Sequence, residues 1–337
     1  MPSNKALFQD KAGETPFKLR ESTYPSPKVN EITVKNHAVA INPADVVMQK
    51  LGNNLFPFIT YPLVLGCDAA GEVVEVGSSI TRFKVGDRVT GVALGAFQGA
   101  MTGGAFQEYV VMQDSLACKI PDSLSFEQAS VLPLCLSTAA NGLFAKRYLG
   151  LQYPSLDSKS TGKTVLITAG ASSVGSNAIQ LAVAAGYEVI TTSSPENFDY
   201  VKKLGASQVF DYKSTTVNED VIAAFKGKKF GGAMVCAGGS QVFCLEVVKT
   251  FDGNPIVASA IHFTEAVPEN IKWEFINSSP DITKVICEDF LPDALSKGRY
   301  IAAPNAEVVG KGLESIQAAV DKVGAGGISA SKIVVSL

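Results

Sequence analysis

The sequence predicts an α/β protein in which a small β-barrel-like domain is joined to a doubly wound parallel sheet. Three observations lead there. The chain has 337 residues, more than one hydrophobic core usually serves, so two domains are expected. The first ~125 residues carry short alternating or β-branched runs between turn residues. Beyond Pro121, strands alternate with helices, the rhythm of a parallel sheet with helical crossovers.

In chain order, Glu31–Ala40, Gly71–Val76, Asp87–Val89 and Ala105–Met112 read as strands. Gly66, Gly71, Gly77 and Gly86 fall where these runs break, as turns with positive φ require. Lys163–Thr168 is then a compact β-branched strand, and Ser176–Ala185 repeats small apolar residues at helical spacing. Strands follow at Glu188–Thr192, Gln208–Phe210, Ala233–Cys236 and Pro255–Ala260, with helices at Asn197–Leu204, Glu219–Phe225 and Gln241–Val248 between them. An amphipathic stretch at Gly312–Val323 precedes a final strand at Lys332–Ser336, expected to return to the N-terminal domain.

Composition narrows the function classes. Hydrophobic residues make up 46% and charged residues 18%, the profile of a well-buried globular chain. A net charge of −3 gives no electrostatic footprint for nucleic acid or an anionic membrane. The richest apolar stretch, Val131 to Phe144, is interrupted by Ser137, Thr138 and Asn141, so no spanning helix is expected. Lys5, Asp10, Lys11 and Glu14 precede any long apolar run, which does not read as a secretory signal. Cys67, Cys118, Cys135, Cys236, Cys244 and Cys287 are dispersed without a Cys-x-x-Cys pair. They are expected as reduced thiols of a cytoplasmic protein.

The segment Ala169-Gly170-Ala171-Ser172-Ser173-Val174-Gly175 directly follows a predicted strand and opens a helix. That context suits a dinucleotide diphosphate: small residues permit close approach, and free N–H groups at a helix N-terminus face the anion. The same residues would also make an ordinary strand-to-helix turn with serine caps. About twenty residues on, where an NAD enzyme places Asp or Glu on the ribose 2′-hydroxyl, the chain has Thr191-Thr192-Ser193-Ser194-Pro195. Hydroxyls can donate to a 2′-phosphate that a carboxylate would repel, so NADPH is favoured over NADH. No Arg or Lys lies in this turn to balance the phosphate.

Ile41-Asn42-Pro43-Ala44-Asp45, the run from Leu65 to Gly77, and Phe83 to Val89 resemble the N-terminal signature of medium-chain dehydrogenases/reductases. Gly103–Tyr109, Leu132-Pro133 through Ala139, and Ser331–Val335 extend the likeness over nearly the whole chain. Within that superfamily the chain resembles the zinc-independent quinone oxidoreductase and enoyl reductase branch, including the fungal toxD/CipB-like proteins and trans-acting enoyl reductases. The resemblance implies a GroES-like β-barrel catalytic domain over 1–125 and 290–337, and a Rossmann nucleotide-binding domain over 126–289. It places Asn42 and Thr138 near the nicotinamide, although Asn42 would equally cap the turn before Pro43. Tyr212 resembles the tyrosine beside the adenosine 2′-phosphate, with Ser193, Ser194 and Asn197 as polar partners. Lys332 would reach the phosphates or stay solvated, and Asp45 reads as fixing a helix start.

Zinc alcohol dehydrogenases of this superfamily ligate a catalytic zinc through Cys, His and Cys. The matching positions here are Asn42, Cys67 and about Leu134, with Cys135 adjacent, and Gly91–Gly104 lacks the cysteines of a structural zinc lobe. No metal is expected. Without a Lewis acid, hydride addition to an enone, an enoyl thioester or a quinone is favoured, because the acceptor itself delocalises the developing charge. No proton donor stands out: Val46 to Ile59 contains no tyrosine, and Tyr61 reads as structural, which leaves water. The sequence thus points to an NADPH-dependent reductase of activated double bonds. A quinone reductase or a non-catalytic NADPH-binding sensor stands as the alternative. The expected partner is a small-molecule substrate, a synthase served in trans is a further candidate, and the chain is read as a monomer or homodimer.

Overall fold

The computed structural model describes residues 3–95, 103–253 and 255–337. Residues 96–102, part of the segment read for zinc-lobe cysteines, lie outside them. The chain forms two compact units, Met1–Leu134 with Asn305–Leu337, and Cys135–Pro304. The sequence reading sets the boundaries after 125 and before 290. Residues 290–304 join the second unit, where Tyr300 Oη donates to Asn177 Oδ1 at 2.7 Å and Ile301 N to Gln180 Oε1 at 2.8 Å.

The first unit is built on a seven-stranded sheet. In spatial order it runs Asn305–Lys311, Ser331–Ser336, Glu31–Ala40, Asp68–Val76, Arg88–Val92 and Ala117–Lys119, with Tyr109–Gln113 also paired to Glu31–Ala40. The final strand does return: Val334, Val335 and Ser336 pair antiparallel with Ala40, Val39 and Ala38. Ala105–Met112 is only partly a strand. Its first residues are held by a loop, where Ala105 N and Phe106 N donate to the carbonyls of Gly66 and Leu65 at 2.9 Å each. Gly66, at φ +97°, leaves the room: a Cβ there would sit 2.4 Å from the Phe106 ring. Phe106 is wholly buried among Leu65, Met48, Ile316, Val320 and Ile333, and a ring so placed stabilises the fold by roughly 1.5–3 kcal/mol.

The second unit is a six-stranded, fully parallel sheet. Its order is Gln208–Asp211, Glu188–Ser193, Lys163–Ile167, Lys229–Val235, Ile256–Ser259 and Lys272–Phe275. The sequence switches direction across the sheet on either side of Lys163–Ile167, the doubly wound arrangement. Leu166, Ile190, Val235 and Val257 from four strands bury against Val221, Phe225, Cys244 and Val248 from the helices. No helix among the described residues is long and apolar enough to cross a membrane. All six cysteines are buried.

Candidate active site

In the second unit, the chain leaves the strand Lys163–Ile167 through a turn fastened to the neighbouring strand. Ala169 N donates to Thr192 Oγ1 at 3.1 Å and Gly170 N to the Thr192 carbonyl at 2.8 Å. Ala169 takes φ +51°, and Ser172 N closes back on its carbonyl at 2.9 Å. Ser172 then caps the helix Ser173–Ala184, its Oγ accepting from Gly175 N at 3.1 Å. Gly175 is required by closeness: a Cβ would lie 2.3 Å from the Ala169 carbonyl oxygen. The chain is buried from Gly175 onward, while Ala171, Ser172, Ser173 and Val174 are partly exposed. The N–H groups of Ser173 and Val174 stand in the first turn, with no carbonyl a turn earlier to accept them. This is a fitting cradle for a diphosphate, which the dipole of the helix also favours.

Next to it, the strands Glu188–Ser193 and Gln208–Asp211 end side by side, with Ser193 in register with Asp211. Tyr212 N reaches the Ser193 carbonyl at 3.4 Å. Ser194 Oγ accepts from Asn197 Nδ2 at 3.0 Å, whereas the buried Ser193 Oγ has no hydrogen-bond partner in the protein. A buried hydroxyl left unbonded costs about 1–3 kcal/mol, and a ligand oxygen at this turn would relieve it. The residues present therefore fit a nucleotide with an acceptor at its ribose. Of the sequence candidates, Gly170, Ala171, Ser172, Ser173, Val174, Gly175, Ser193, Ser194, Asn197 and Tyr212 all gather at the carboxyl ends of three adjacent strands. Sequence reasoning missed Glu196 and Lys213 here. Lys213 Nζ sits 5.6 Å from the centre of the exposed Tyr212 ring, and only the strand register brings its segment to the turn after Ser193.

The first unit carries a second, separate constellation. Asn42 is the N-cap of the helix Pro43–Leu51, so its capping role is realised. Its backbone N–H donates to Asp45 Oδ2 at 2.8 Å, and its side-chain Nδ2 to Asp68 Oδ2 at 3.0 Å. Lys332 lies here too, in an ion pair with Asp68 at 2.5 Å and a hydrogen bond to the Val131 carbonyl at 3.2 Å. Leu134 N, at the start of the helix Pro133–Phe144, donates to Asp68 Oδ1 at 2.7 Å. Both ion-pair partners are buried, Lys332 at 4% and Asp68 at 0% exposure. The tail lysine is thus spent on a carboxylate within its own unit. Thr138 belongs to the other unit, partly buried on the helix Pro133–Phe144 between Ser137 and Ala139.

Cys67 completes the group, its thiol donating to Asp45 Oδ1 at 3.4 Å. Burial, reinforced by Asp45, pushes that thiol well above its usual range, so it is a neutral S–H rather than a thiolate. Burial likewise raises the Asp45 carboxyl to about 6, against the Asn42 N–H, which favours its ionised form. This donor set suits a metal badly. An ammonium and amides already occupy Asp68, and the group offers one thiol and no imidazole where zinc selects several thiolates or imidazoles. Both histidines are elsewhere, stacked on Phe126 and Phe275. Among the described residues no three His, Cys, Asp or Glu side chains form a metal-holding group.

Residues 28–122 match the alcohol dehydrogenase GroES-like domain family, and 173–253 the family called zinc-binding dehydrogenase. The chain is 47% identical to dehydrogenase azaJ of Aspergillus niger, with 100% of each covered. It is 36% identical to the trans-enoyl reductase himH of Aspergillus japonicus, over 99% of this chain and 97% of that protein. Among solved structures, the quinone oxidoreductase of Coxiella burnetii superposes with a TM-score of 0.72 at 25% identity, both chains covered in full. With a GroES-like unit, a six-stranded dinucleotide sheet and full-length relatives of this kind, the chain belongs to the medium-chain dehydrogenase/reductase superfamily, a family of nicotinamide-dependent oxidoreductases.

Proposed function

We propose that the protein is an NADPH-dependent reductase of activated carbon–carbon double bonds, acting on an enone or an enoyl thioester without zinc. The observation that carries this reading is the state of Asp68. Its oxygens are taken by Lys332, Asn42 and Leu134, so this buried carboxylate is already satisfied by the protein's own ammonium and amides. Charge developing on a substrate carbonyl oxygen would then be met by hydrogen bonds and by delocalisation within the substrate. An enolate provides that delocalisation and a simple alkoxide does not.

The turn Gly170–Gly175 would hold the diphosphate and the Ser193–Asn197 turn the adenosine ribose. Bound NADPH supplies the hydride. Asp68 fixes the plane of the Asn42 amide, Lys332 neutralises Asp68, and Asp45 anchors the Asn42 backbone, so that Asn42 presents a rigid polar group. Thr138 is proposed as its counterpart in the second unit. The proton that completes reduction is assigned to water, because the Cys67 thiol is buried and raised. The similarity to himH favours an enoyl acceptor, and the likeness to a quinone oxidoreductase favours a quinone as the second reading. Service to a synthase in trans belongs with the first. Purified protein mixed with NADPH and, separately, an enoyl thioester, a simple enone and a quinone tests both. Oxidation with either alkene supports the first reading and oxidation with the quinone alone the second. Cofactor binding without turnover of any acceptor would point to a sensor.

A further inference from the structure

The adenosine end of the nucleotide site contains two opposed charges. Glu196 lies in the first turn after Ser194. Its carboxyl is held below the usual range by its own backbone N–H, then by the Ser194 hydroxyl, with the positive charge of Lys213 contributing. It is therefore ionised, and its Ser194 contact is one that a phosphate oxygen would compete for. Lys213 follows the strand Gln208–Asp211, its backbone N fixed by Asp211 Oδ1 at 3.0 Å and its ammonium seated over Tyr212. Tyr212 N is bonded to the Ser193 carbonyl, so Lys213 directly follows the residue tied to Ser193, whose buried hydroxyl has no partner.

We infer that Lys213 is the counter-cation for the adenosine 2′-phosphate and that Glu196 opposes it, the two together setting how strongly NADPH is preferred over NADH. The inference rests on the NADPH reading and deepens it. A 2′-phosphate dianion beside Ser193 gains from Lys213 and from the unbonded hydroxyl, and is repelled by Glu196; a 2′-hydroxyl feels neither charge strongly. A cation over an aromatic face can swing toward an anion without leaving a carboxylate partner behind. Both residues stand in solvent, so the effect is moderate and weakens with salt.

Titration of wild type, Lys213→Ala, Lys213→Arg and Glu196→Gln with NADPH, NADH and 2′,5′-ADP, followed by fluorescence or calorimetry, tests this. Lys213→Ala should lower the NADPH-to-NADH affinity ratio roughly fivefold, and Glu196→Gln should raise it two- to fivefold. Lys213→Arg should keep the wild-type ratio, 2′,5′-ADP affinity should move in parallel, and all differences should shrink at high salt. A wild type that prefers NADPH, with a ratio unmoved by Lys213→Ala and Glu196→Gln, overturns the inference and leaves the NADPH reading standing. A wild type that binds both nucleotides equally, or neither, removes that reading and the inference with it.

Discussion

Lys332 shows how a single side chain redefines a site. In the sequence it is one polar residue before Ile333-Val334-Val335, free to be read as a phosphate ligand. A lysine in a strand whose neighbours are all buried needs a carboxylate, and Asp68 is that partner across 264 positions of chain. Removing one member of such a pair strands a buried charge at a cost of about 3–5 kcal/mol. Lys332→Met should therefore lower stability by about that amount in urea denaturation, and Asp68→Asn added to it should recover much of the loss. Asp45 gives the pH counterpart. Its folded value, about 6, lies above the ordinary 3.8, so its favourable contribution is complete in acid and is lost as pH rises from 3.8 through 6. Asp45→Asn has no such loss. Its stability relative to wild type should climb across that interval and level off above it, and a difference independent of pH would show that Asp45 titrates alike in the folded and unfolded chain. Asn42 and Asp45 were legible as residues, but their tie to Asp68 and Cys67 depends on long-range packing that no local pattern encodes.

The strand-to-helix turn at 169–175 is the element whose form was plainest in the sequence, despite having glycine at only two of its seven positions. The small residues, the preceding β-branched strand and the following helical spacing agreed with one another. Ser172→Ala removes the cap on Gly175 N and should cost about 1 kcal/mol. Gly175→Ala is harsher, since its Cβ meets the Ala169 carbonyl at 2.3 Å. The turn must open, and nucleotide affinity measured by titration should fall at least tenfold, about 1.4 kcal/mol. The adjoining turn was only half legible. Thr191–Ser194 advertised hydroxyls in place of a carboxylate, yet the cation that seemed to be missing comes from the end of another strand. Parallel pairing, not proximity in sequence, delivers Lys213.

At the scale of the molecule, the change of rhythm near Pro121 announced both architectures, and the final strand's return was foreseeable because a lone terminal strand must pair. Residues 261–311 were not. The strand Lys272–Phe275 alternates too briefly to register, Phe290 separates the helices Pro280–Asp289 and Leu291–Ser296 with Pro292 in the first turn of the second, and the strand Asn305–Lys311 is largely exposed. Ser331–Ser336 lies between two other strands, with Ile333 and Val335 in the main core of the first unit. Val335→Asp buries an unpaired carboxylate there, and the first unit should lose cooperative unfolding, by more than about 4 kcal/mol. A variant melting like wild type would show that this strand is dispensable.

That same insertion constrains the order of events during synthesis. Residues 135–304 interrupt the chain of the first unit, so the parallel sheet can collapse on itself while Ala38, Val39 and Ala40 still present an open margin. Closure must wait until Ser331–Ser336 clears the ribosome, nearly three hundred residues after its neighbour was made. Until then the exposed margin invites mispairing, and chaperone demand should persist until that partner strand has been made.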